Sequence, residues 1–258
     1  MLGFGLPAVE ASLFGLIFAM VRIGAAFIAA PVFGAVIVPL QVRIVLAGAI
    51  GILVVNNAPV ASPAAIFSLT TVLQVAQEAM VGLALGFILQ IAFAGPLIAS
   101  EALGNTMGIG FATTIDPQRG ASTPALGQFL SIVMTLLFLA LDGHLILVDL
   151  VVRSYQVLPP GGAWLSAAKL QAIVMFGGYA FAAGLLLALP VGFIILCLNL
   201  IVGMLSRSAP ALNLFAVGLP ASLATGLVAL AIAFPAMGDA MADIIREALE
   251  ATANLVLG

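Results

Sequence analysis

Between Lys169 and Arg207 the chain runs 37 residues without a charged side chain. As a helix that stretch would extend about 55 Å, well past the ~30 Å hydrocarbon core of a bilayer. Similar uncharged runs separate Arg43 from Glu78, Glu78 from Glu101, Arg119 from Asp142, and Arg207 from Asp239. A soluble domain has no means of covering so much apolar surface with so few polar groups. The pattern therefore predicts an all-α, polytopic membrane protein. Composition agrees: 64% of residues are hydrophobic and 7% charged, against about 25% charged in an ordinary globular chain. The small net charge of −3 gives no footing for a nucleic-acid partner.

Prolines, glycines and short polar clusters divide the chain into about six long, partly broken hydrophobic helices. The first runs from Ser12 to Val38, interrupted near Pro31 and Gly34, and its Ser12–Ala30 part reads as a retained membrane helix because no basic residue precedes Arg22. A second covers Val42 to Val55 and stops at Asn56-Asn57-Ala58-Pro59. The third region, Phe67 to Phe111, contains Gly95-Pro96; at 45 residues it is too long for one crossing and reads as a broken helix or a hairpin. A polar loop follows, from Ala112 to Pro124. The fourth segment is Ala125 to Val152, the fifth Leu170 to Leu205 around Pro190, and the sixth Ala211 to Ala233. This assigns residues 1–238 to a membrane domain and 239–258 to a short amphipathic tail outside the core, where Asp239, Asp243, Arg246, Glu247 and Glu250 alternate with apolar positions. Orientation is not encoded in charge. Arg43, Arg119 and Arg207 fall on one side of a six-segment model and Arg153, Lys169 and Arg246 on the other, a tie under the positive-inside rule.

Ionisable residues inside apolar segments are costly and hence candidate sites. Arg22 either pairs with a carboxylate, of this chain or of a partner, or snorkels to an interface. Glu78 and Glu101 are too far apart to form a local pair and read as inter-subunit hydrogen-bonding groups, with proton carriage as the lesser alternative. Asp142-Gly143-His144 closes a long apolar run, with His144 as a structural donor, and Arg207 follows another. Gly82/Gly86 and Gly104/Gly108 place small residues four apart, a spacing that allows helix backbones to approach. Cys197, between Leu196 and Leu198, reads as a small core residue. The sequence carries no His-Glu-x-x-His, Gly-x-Ser-x-Gly or phosphate-loop pattern, so neither an enzyme, a metal site nor a cofactor is expected.

Several segments, in order and at matching spacing, resemble the type III secretion export-gate family across nearly the whole chain. They are Pro31-Val32-Phe33-Gly34 with Val38-Pro39 and Arg43; Gln77-Glu78 before Gly82 and Gly86; Glu101-x-x-Gly104; Gly110-Phe111-Ala112-Thr113 with Asp116-Pro117; Asp142-Gly143-His144-Leu145; Ser154 ahead of Leu158-Pro159; Leu187-Ala188-Leu189-Pro190; Asn199-Leu200; and Arg207-Ser208-Ala209-Pro210 continuing to Pro220. The resemblance implies a helical-hairpin subunit in a pore-forming core with FliP-type and FliQ-type proteins, joined by an FlhB-type protein, in the basal body of the bacterial inner membrane. It further implies that unfolded flagellar subunits pass through that core. By motif, the loop 108–123 would be a closed-state plug, with Gly108, Gly110, Thr113, Phe111 and the Asp116-Pro117 turn in it. Met107, Ile109 and Phe111 could seal a narrow pore by dewetting. The equivalent gate subunit of an injectisome and a small-solute secondary transporter are the competing readings; a transporter would carry internal repeats around paired broken helices, which Pro96 and Pro190 do not supply.

Overall fold

A computed structural model describes residues 6–57, 68–109, 125–161, 165–208 and 214–257. These form eight α-helices: α1 Leu6–Ala29, α2 Leu40–Asn57, α3 Leu69–Thr106, α4 Ala125–Ala140, α5 Gly143–Val157, α6 Ala167–Phe176, α7 Tyr179–Ser208 and α8 Leu214–Leu257. No strand occurs among the described residues. Among the described residues, four stretches are long and apolar enough to cross a membrane: α2, α3, α6 with α7, and most of α8. The α4–α5 pair makes a fifth if the two helices serve as one span. The described apolar part of α1, Leu13–Ala29, is shorter than these.

The boundaries depart from the sequence expectations in four places. The third region is neither broken nor a hairpin, because α3 continues for 38 residues straight through Pro96. Pro96 removes one backbone donor, but the helix holds on either side of it. Prolines are tolerated in apolar helices where neighbouring packing compensates. Conversely, the fourth segment is two helices. Asp142 adopts a left-handed conformation, with φ 55°, and its carbonyl accepts from Leu145 and Ile146 to start α5; Asp is among the few residues at ease there. The fifth segment divides at Gly177-Gly178, not at Pro190. Finally, α8 crosses residue 238 and both Pro220 and Pro235 without interruption. The tail does not lie outside the core: Met241, Ile244, Ile245, Ala248 and Thr252 bury one face of it.

The chain forms two compact units. The first comprises residues 1–91, 142–177 and 246–258. Its core joins Ala19, Ile23 and Ala26 of α1 to Leu85 and Leu89 of α3 and Leu147 and Val151 of α5, each essentially inaccessible. The three- and four-residue spacings put these side chains on single helical faces. Here α1 packs on α2, and a Cβ added to Gly51 would stand 2.9 Å from the Leu16 side chain.

The second unit comprises residues 92–141 and 178–245. Leu130, Met134 and Phe138 of α4 meet it along one stripe, and Leu187, Val191 and Ile195 of α7 along another. Phe93 and Phe138 sit edge to face, with centroids 5.6 Å apart. Gly95 and Gly184 let α3 and α7 close in, since a Cβ on Gly184 would fall 2.6 Å from Ile98. The opposite face of α7 exposes Phe181, Leu185, Leu189, Phe193, Leu196 and Leu200. Apolar on all sides, such a helix belongs in lipid or against other apolar helices. Cys197 lies on this exposed side rather than in the core, because its helical position falls away from the Val191–Ile195 stripe.

Candidate functional site

In the first unit three buried side chains, Glu78, Ser154 and Tyr155, converge on Arg22. From α1, its Nε donates to Glu78 Oε2 at 2.7 Å and its Nη2 to Oε1 at 2.9 Å. Nη1 donates to the Ser154 hydroxyl at 3.0 Å, and Nη2 also reaches the Leu158 carbonyl at 2.8 Å. The guanidinium lies 4.2 Å from the centre of the Tyr155 ring, whose hydroxyl donates to the Ala19 carbonyl at 2.7 Å. Arg22 is 1% and Glu78 0% exposed. A planar, five-donor guanidinium suits this arrangement, because a fork of carboxylate oxygens, a hydroxyl and a carbonyl can all be met at once. The cluster ties α1, α3 and α5 together within the chain. Glu78 is therefore committed to an internal ion pair, in place of the inter-subunit contact expected from sequence.

Two glycines make that approach possible. A Cβ on Gly82 would collide with the Arg22 carbonyl, and one on Gly86 would stand 2.5 Å from the Ala26 carbonyl and 2.7 Å from the Ala30 nitrogen. Gly82 is one helical turn from Glu78, so close backbone contact and the ion pair share a face of α3. Gly104 differs: although buried, a Cβ there would meet nothing within 4 Å. Among the described residues it is not a close-packing glycine, unlike Gly82 and Gly86 with the same four-residue spacing.

In the second unit the notable geometry is where α3 ends and the polar loop begins. Met107 is 2% exposed and lies against α8, where a Cβ on Gly226 would come within 2.6 Å of its terminal methyl. Gly108 turns the chain with φ +77°, beside the Leu219 side chain. Positive φ favours glycine because it has no Cβ to clash. The Ile109 amide returns to the Gly104 carbonyl at 2.9 Å, closing the helix end. The loop root is thus fixed on α8. Gly110, Phe111, Thr113, Asp116 and Pro117 lie outside the described residues.

The other candidates are scattered. Glu101 is exposed on α3 and Asp142 exposed at the α4–α5 corner. His144 is half-buried, and its Nδ1 has no hydrogen-bond partner among the described residues. Arg207 is exposed in the last turn of α7, where a cation complements the helix dipole. Arg43 Nη2 holds the turn before α2 through the Ala35 carbonyl at 2.6 Å and the Val38 carbonyl at 3.1 Å. Sequence reasoning missed Tyr155 and assigned Ser154 no role. The available signal was their polarity in an apolar segment, one helical turn before Leu158. Among the described residues, no group of His, Cys, Asp and Glu could hold a metal.

Long apolar helices tied by a buried ion-pair cluster, with four to five stretches among the described residues able to cross a bilayer, define a multi-pass membrane protein. The family model described as bacterial export proteins, family 1, matches residues 13–248, and the chain belongs to that family. It is similar to the flagellar biosynthetic protein FliR of Escherichia coli (strain K12), 33% identical over 237 residues covering 92% of this chain and 90% of that one. The FliR of Pectobacterium carotovorum subsp. carotovorum is 35% identical over 92% of this chain and 90% of its own length. That of Bacillus subtilis (strain 168) is 29% identical over 92% of each. Membership and the apolar helices together make the chain a multi-pass inner-membrane component of flagellar protein export.

Proposed function

We propose that this chain is a non-enzymatic, pore-forming subunit of the flagellar type III export gate. In this reading it assembles with FliP-type and FliQ-type proteins, contacts an FlhB-type protein, and passes unfolded flagellar subunits across the inner membrane. The observation that carries it is the family match across residues 13–248, nearly the full helical body. The helices themselves support an assembled subunit: α3 and α8, at 38 and 44 residues, extend about 57 and 66 Å, roughly twice the ~30 Å of hydrocarbon. The exposed apolar face of α7 is the kind of surface that neighbouring helices cover.

Loop 108–123 is the plug of this gate. What supports the assignment is its root: Met107 and Gly108 pack against Gly226 and Leu219 of α8, which fixes where the loop leaves the helical body. Pull-down of the tagged chain from native membranes in mild detergent tests the reading. FliP- and FliQ-type proteins in one large particle are the expected result. A stable particle of this chain alone would overturn it in favour of a transporter.

A further inference from the structure

A cavity of about 250 Å³ opens in the first unit between α6, α3 and the last turns of α8. Its floor is Ile88, Ile173 and Leu255, all buried. Lys169 and Asn254 supply the polar part of its lining. Lys169 Nζ donates to the Leu255 carbonyl at 2.8 Å, one of the last four carbonyls of α8, which have no partner within the helix. This hydrogen bond uses one of the three ammonium donors and leaves two. Lys169 has no acidic partner among the described residues. No acidic side chain of the described residues compensates this cation, which stands over an apolar floor in a chain whose surroundings include lipid.

We propose that this cavity binds one anionic phospholipid, with its phosphate on Lys169 and a stretch of one acyl chain on Ile88, Ile173 and Leu255. The volume lies below the ~300–1,000 Å³ of pockets that enclose a whole ligand, so it takes one arm of a molecule whose remainder stays in the bilayer. A free inorganic anion would satisfy Lys169 and leave the apolar floor bare. A zwitterionic lipid would fill the floor but bring its own cation to the phosphate. Charge and apolar surface are matched together by an anionic lipid, and basic pockets between apolar helices commonly hold such headgroups.

Native mass spectrometry of the detergent-extracted complex containing the full chain tests this, with added phosphatidylglycerol or phosphatidylcholine as probes. The wild type should retain one phosphatidylglycerol per copy of this chain, with a preference of roughly fivefold over phosphatidylcholine. Lys169→Gln should abolish the preference. Ala172→Trp fills the cavity from the α6 side, leaves the Lys169 hydrogen bond in place, and should remove the lipid altogether. Retention of the bound lipid by Ala172→Trp, or an unchanged preference in Lys169→Gln, would overturn the proposal. If Lys169→Gln does not accumulate, the Ala172→Trp result decides alone.

Discussion

Arg22 of α1 holds both carboxylate oxygens of Glu78 on α3, at 2.7 and 2.9 Å, where neither side chain is more than 1% exposed. Breaking a buried pair from one side leaves an uncompensated charge and costs about 3–5 kcal/mol. Glu78→Leu and Arg22→Met should each strip most of the chain from membranes, as read by steady-state immunoblot. The double variant should accumulate better than Glu78→Leu alone, because replacing both charges by apolar groups removes the desolvation penalty along with the attraction. A double variant no better than the worse single one would mean the pair is not the reason for the loss.

Glycine substitutions on α3 should separate sharply by position. Gly82→Ala drives a methyl into the Arg22 carbonyl, whereas Gly104→Ala places one where no atom lies within 4 Å. Overpacking against backbone costs about 1–3 kcal/mol or more, while Ala in place of Gly inside a helix gains up to about 1 kcal/mol. Gly82→Ala should therefore lower chain level and swimming-plate motility, and Gly104→Ala should leave both at wild type or above. Equal defects at the two positions would contradict the α1–α3 contact described here.

The all-α membrane architecture was legible because charge spacing reports apolar length directly, as between Lys169 and Arg207. The helix breaks were less so. Pro96 and Pro190 looked like interruptions and are not, while Asp142 and Gly177 interrupt helices without a proline. In apolar surroundings the neighbours of a proline decide its effect, and those neighbours are distant in sequence. The same holds for the cluster at Arg22, whose partners lie 56 to 136 residues away. Composition marked Arg22 and Glu78 as costly residues but could not pair them. Cys197 failed for the reason that the interior and exterior of a membrane helix are equally apolar, so hydropathy does not tell which face is buried.

Removing the proposed plug should make the membrane leak. Deletion of residues 110–120 should leave the complex assembled and raise ion conductance, measured as salt-induced growth inhibition and by electrical recording of the reconstituted particle. Gly226→Val, which pushes Met107 off α8, should give a weaker leak of the same kind. Conductance of the deletion equal to wild type would show that this loop is not a plug.

The most direct test is whether an exported chain passes the loop root. With a photo-crosslinking amino acid at Ile109, half-buried beside the Gly108 turn, and an export substrate stalled by a fused folded domain, light should produce an adduct between this chain and the substrate. The adduct should be absent when the crosslinker is moved to exposed Leu186 of α7. An adduct at Leu186 and none at Ile109 would contradict it, because the substrate would then take a route that the loop does not guard.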